Sequence, residues 1–137
     1  MNYIKSYEDL LLEKRIHQFS SDVQVTLSFD IIKTQHADKR SDFSKRNLES
    51  DNQYHISNKE MTEFVLFFKR EITEGIVNGD IEDQTEFVIK SLDRELAMSI
   101  VAEFVSHNYW KLIITTVFRE SYENQFRVGK NQLVYNK

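Results

Sequence analysis

Apolar and polar positions change period several times along the chain, and each change marks an element. Tyr7, Leu11, Leu12, Ile16 and Phe19 recur at helical spacing, with Glu8, Asp9 and Glu13 ahead of Lys14 and Arg15. That charge order suits a helix dipole, so the pattern predicts a helix over residues 5–19, capped by Ser6 and ended by Ser20-Ser21-Asp22. Val23, Val25, Leu27 and Phe29 then alternate with Asp22, Gln24, Thr26 and Ser28, the period of a half-buried strand. After Asp30-Ile31-Ile32-Lys33, Thr34 stands as the N-cap of a further helix from Gln35 to about Glu49. Its large apolar residues are chiefly Phe43 and Leu48, which places it on the surface.

A polar gap from Glu49 to His55 reads as a loop. Ser57-Asn58-Lys59-Glu60 has the spacing of a capping box. It opens a helix whose stripe is Met61, Phe64, Val65, Phe68, Ile72 and Ile76, widened by Phe67 and stopped at Gly79. The remainder predicts strands over 85–90, 96–105 and 112–118, the last apolar enough to be central, with a turn at Ser106-His107-Asn108. Leu133-Val134-Tyr135 reads as a short final strand. The expected order is α-β-α-α-β-β-β: an α+β fold with N-terminal helices packed on a C-terminal antiparallel sheet.

Composition bounds this picture. The 137 residues suffice for one domain with a real core, 40% of them apolar and 29% charged. No cysteine is present, which excludes disulfides, thiolate metal sites and cysteine nucleophiles. No apolar run reaches the length of a membrane helix, and the acids within Met1 to Leu12 do not suit a signal peptide, so the expectation is a soluble cytoplasmic protein. The net charge of −4 conceals segregation. Lys33 to Arg46 holds five Lys or Arg and two acids, whereas Glu71 to Glu86 holds six acids and no Lys or Arg. One basic and one acidic face can result, or simply two solvated surfaces.

The motifs of several chemistries are missing. The three glycines are isolated, so no glycine-rich phosphate loop exists, and neither a zinc-protease helix motif nor a calcium-binding loop is present. His17, His36, His55 and His107 lack metal-ligand spacing. Metal-free acid–base chemistry remains. Cleaving RNA through its own 2′-hydroxyl needs a base, an acid and cations around the phosphate. In Thr34-Gln35-His36-Ala37-Asp38-Lys39-Arg40, a helix would put His36 and Arg40 on one face, where a histidine and a fixed cation fit those roles. The same pair also fits an ordinary solvated helix. Arg46, Arg94 and Arg119 are further phosphate-binding candidates.

A strand, then Thr-x-His-Ala-x-x-Arg opening a helix, then a Ser-capped amphipathic helix, then a sheet carrying Ile-Thr-Thr-Val-Phe-Arg, resembles the RelE/BrnT-like toxin superfamily. The similarity is greatest to its phage RegB-type endoribonucleases, and it covers about residues 23–120. The resemblance implies one domain over 1–137: an N-terminal helix within 1–22, a RelE-like core over 23–120, and a tail over 121–137. It implies metal-independent cleavage of mRNA, without a cofactor, in association with the ribosome in the host cytoplasm. His36 would be catalytic with Arg40 beside it, and Lys39, Lys45, Arg46, Arg94 and Arg119 would bind RNA. Those enzymes carry a second histidine in the amphipathic helix, where this chain has Phe67 or Phe68, and His55 is the candidate substitute. The alternatives are a non-catalytic phage protein of the same fold that binds a host protein or RNA, and an accessory protein whose aromatic residues form a dimer interface.

Overall fold

A computed structural model describes residues 13–22, 26–35, 37–38, 55–119, 121, 128–129 and 131–137. The elements are β1 (Lys14–Asp22), β2 (Thr26–Lys33), α1 (Asn58–Phe67), α2 (Lys69–Val77), β3 (Glu86–Ser91), β4 (Leu96–Ser106), β5 (Tyr109–Arg119) and β6 (Leu133–Asn136). They make one six-stranded sheet of order β1-β2-β5-β4-β3-β6. The expected architecture is therefore corrected on two points. Strands precede the helices, which occupy the middle of the chain, and the sheet is mixed: β2 pairs with β5, and β3 with β6, in parallel.

The N-terminal error has a local cause. Residues 14–19 belong to a strand antiparallel to β2, although Ile16 and Phe19 are spaced as on a helix. Three residues separate side chains onto opposite faces of a regular strand. Here the register shifts between Arg15 and His17, a bulge that resets the alternation, and both Ile16 and Phe19 pack against the main core. Phe19 stacks on Phe29 of β2 at 4.9 Å. A bulged strand and a helix thus share the same short apolar signature. The expected helical residues before 13 lie outside the described residues.

The single helix expected from Met61 to Ile76 is two. Ser57 caps α1 by accepting a hydrogen bond from the Glu60 amide at 3.1 Å. At Phe68 the backbone leaves the helical region (φ −102°, ψ 10°), and its amide donates to Val65 O before α2 begins. Phe68 is nevertheless fully buried, so the stripe continues across the break. Gly79, at φ +84°, ends the segment beyond α2 in the left-handed conformation that glycine tolerates.

The helices and one face of the sheet enclose the main core. Met61, Phe64, Val65, Phe68 and Ile72 meet Phe29, Ile31, Phe87, Ile89, Met98, Ile100, Leu112 and Ile114 there. The other face carries a second cluster of Ile32, Val101 and Ile113. Both faces of β4 are buried from Leu96 to Ala102, in keeping with a run that is apolar except for Ser99 and with the central placement of β4 and β5. β6, within the tail, adds to the far edge beside β3.

Candidate functional site

Beyond the carboxyl end of β2, the chain turns over a cleft. Thr34 extends the β2–β5 pairing by donating its amide to Ile114 O, and the chain then enters a helical turn. The Asp38 amide donates to Thr34 O at 3.0 Å, and the Ala37 amide donates to Thr34 Oγ1 at 3.2 Å. Thr34 is thus the N-cap that the sequence predicts, and its residual exposure is only 1%.

The cleft holds about 430 Å³ and is lined by Lys33, Asp38, His55, Ile56, Ser57, Asn58 and Lys59. Lys33 is nearly buried, and its ammonium donates to Asp38 Oδ1 at 2.5 Å and to Asn58 Oδ1 at 2.7 Å. Those bonds satisfy a charge that would be costly to bury alone. They also tie the helical turn to the start of α1. Lys59 is exposed in the first turn of α1, and the N-terminal end of that helix adds partial positive charge. Cationic, amide and imidazole groups therefore line the cleft together with the Asp38 carboxylate, which Lys33 binds.

Arg119, at the end of β5, does not open into this cleft. Its two terminal nitrogens bind both oxygens of Glu60, at 2.5 and 2.9 Å, and one of them also donates to His55 O at 2.7 Å. A bidentate pair of this geometry fixes the start of α1 against the sheet. Glu60 is thereby drawn away from the reciprocal half of its capping box; only the serine half is made. Arg94 lies over the Phe67 ring at 3.8 Å and borders a separate hollow with Glu60, Glu63, Phe64 and Leu96. Lys137 approaches the same ring at 4.3 Å. Phe67 is thus flanked by two cations, and Phe68 is in the core, so neither lines the cleft.

Of the residues proposed from sequence, His55 lines the cleft, while Arg94 and Arg119 are engaged elsewhere. His36, Lys39, Arg40, Lys45 and Arg46 lie outside the described residues. The cleft residues that sequence reasoning passed over are Lys33, Asn58 and Lys59. Lys33 had a signal: a charge closing an apolar strand must find a partner or a ligand. Asn58 and Lys59 were absorbed into the capping motif.

A second polar cluster sits on the opposite face of the sheet. Asp30, 5% exposed, accepts hydrogen bonds from the Tyr109 hydroxyl and from Arg15, the latter at 3.5 Å. The bond to Asp30, and then burial, hold the Tyr109 phenol above its ordinary pKa. These groups satisfy one another and tie β1, β2 and β5 together. No group of three or more histidine or acidic side chains suited to a metal is found among the described residues.

The chain matches no protein-family model, no curated protein and no solved structure. No helix among the described residues is long and apolar enough to cross a membrane.

Proposed function

We propose that the protein binds single-stranded RNA by its phosphate backbone at the Lys33–Lys59 cleft and does not cleave it. The observation that carries this reading is the convergence of Lys59, His55 and the start of α1 on one cleft, with Lys33 bonded to Asp38 and Asn58 beneath them. Cleavage would need further cations at the phosphate. Arg119 is bound to Glu60, and Arg94 stacks on Phe67, so neither supports that step.

A second reading, metal-independent cleavage of mRNA, rests on the likeness of Thr34 to Arg40 to RegB-type endoribonucleases. The position of His55 on the cleft favours it, because an imidazole there could supply the second proton-transferring group.

One experiment separates them. Dye-labelled single-stranded RNA is titrated with the protein in chelator, followed by anisotropy, and recovered on a denaturing gel. The expected result is intact RNA, with binding weakened about tenfold by Lys59→Glu and a salt dependence lower by about one phosphate contact. Equal binding by wild type and Lys59→Glu would sink the RNA reading. Fragments made by wild type and missing with His36→Ala or His55→Ala would replace it with the enzyme.

A further inference from the structure

The β4–β5 hairpin ends in an apolar surface far from the needs of folding. Phe104 and Val105 are 48% and 43% exposed, and they are the exposed large hydrophobic residues among those described. Neighbouring residues on a regular strand point to opposite faces, but the β4–β5 register shifts between Phe104 and Ser106. The bulge re-aims the strand end at the tip. Phe104 is not loose there. Its ring meets Trp110 edge-on, at 5.4 Å and 83°, and its amide donates to Asp83 Oδ1 at 2.9 Å. An exposed ring held in place by a buried indole loses little freedom on being covered, the condition for a binding anchor.

The surroundings specify the partner. The segment Glu82 to Thr85 runs beside β4, with the Gln84 amide donating to Ala102 O and the Ala102 amide to Thr85 O. This brings exposed Asp83 next to Phe104, with exposed Glu82 preceding it in the chain. Glu103 and Lys111 pair on the other face of the ladder, and His107 sits in the turn. The acids Glu82 and Asp83 therefore border the apolar centre. Anionic polymers and anionic lipid are disfavoured at such a surface, and a cationic one is favoured.

We propose that this tip docks a basic protein segment that brings an aliphatic or aromatic side chain onto Phe104. The site is separate from the cleft and stands or falls without the RNA reading. Trp110, the chain's single tryptophan, lies directly under Phe104 and reports on it. Two dye-labelled short peptides, one alternating leucine with lysine and one alternating leucine with glutamate, are titrated against the full protein by anisotropy and Trp110 emission.

The leucine–lysine peptide should bind saturably, shift Trp110 emission and weaken as salt is raised. Phe104→Ser should weaken it about tenfold or more. The pair Glu82→Gln with Asp83→Asn keeps the apolar tip and the Asp83 acceptor, and it should weaken binding while flattening the salt dependence. Thermal midpoints of both variants establish that they are folded. The proposal is overturned by binding of both peptides alike, by binding without a Trp110 response, or by no binding of the leucine–lysine peptide. A Trp110 shift on raising protein concentration alone would also overturn it, in favour of self-association.

Discussion

Arg119 shows how a residue's chemistry can be legible while its employment is not. An arginine closing an apolar strand is a reasonable phosphate ligand on sequence. Nothing local reveals that Glu60, fifty-nine residues earlier, takes both of its terminal nitrogens. Its role here is to hold the start of α1 against the sheet. Arg119→Met should accordingly cost about 1–3 kcal/mol in urea unfolding, with partial exposure of the pair keeping it toward the low end. On the proposed RNA-binding reading, it should leave affinity for RNA nearly unchanged. A large affinity loss at unchanged stability would return Arg119 to the binding surface. Tyr109 gives a second test at this scale. Its phenol is held above its ordinary pKa chiefly by the hydrogen bond to Asp30, so the folded state keeps a proton that the unfolded chain releases first. That stability is fully present below the unfolded tyrosine pKa and is lost as pH rises toward the folded value. Tyr135 is shifted the same way, mainly by burial, and contributes in the same alkaline window. Tyr109→Phe should therefore lose stability at neutral pH and show a shallower decline above about pH 10 than wild type, read from thermal midpoints across that range.

At the scale of elements, what could be read were the patterns that depend only on neighbours. Thr34 and Ser57 are caps because their side chains reach amides three residues on, and both bonds form. The stripe Met61 to Ile72 is buried because helical spacing leaves it one face. β1 was misread because a bulge lets a strand carry helix-like spacing, and the bulge is set by pairing with β2 rather than by its own residues. The break at Phe68 was invisible for the opposite reason: the apolar period runs through it undisturbed. Gly75 was passed over, yet it decides how α2 meets the sheet edge. A Cβ added there would strike the Tyr135 hydroxyl of β6 and lie 2.8 Å from Ile81 Cδ1. Gly75→Ala gains up to about 1 kcal/mol in helix propensity but forces α2 from β6, at a cost of about 1–3 kcal/mol. A net loss is expected in urea unfolding. Gly75→Ala combined with Tyr135→Phe should recover part of it, since the hydroxyl is the nearest obstacle.

The whole molecule joins two antiparallel units, the β1–β2 hairpin and the β3–β4–β5 meander, through the parallel pairing of β2 with β5. That pairing was the part of the fold least legible from sequence. Strand periodicity gives which face of a strand is buried, but not which strand lies beside it or in which direction. The same pairing places the cleft: it aligns the carboxyl end of β2 with α1, where Lys33 reaches Asn58. β6 closes the other edge, and it does so late in the chain. It lies parallel to β3, its Tyr135 ring meets Phe87 edge-on at 6.0 Å, and the terminal Lys137 donates to Phe67 O and pairs with Glu71 of α2. The last strand thus bonds to the sheet and to both helices at once. Removing residues 133–137 would strip three half-buried side chains and a ladder from β3, a loss of roughly 2–4 kcal/mol. It would also leave β3 as an open edge, which favours pairing between molecules. The truncated chain should show a lower urea midpoint and concentration-dependent association by sedimentation, whereas the RNA binding proposed for the cleft, on the far side of the sheet order, should persist while the chain is folded. An unchanged midpoint would mean that β6 merely rests on an edge that is stable without it.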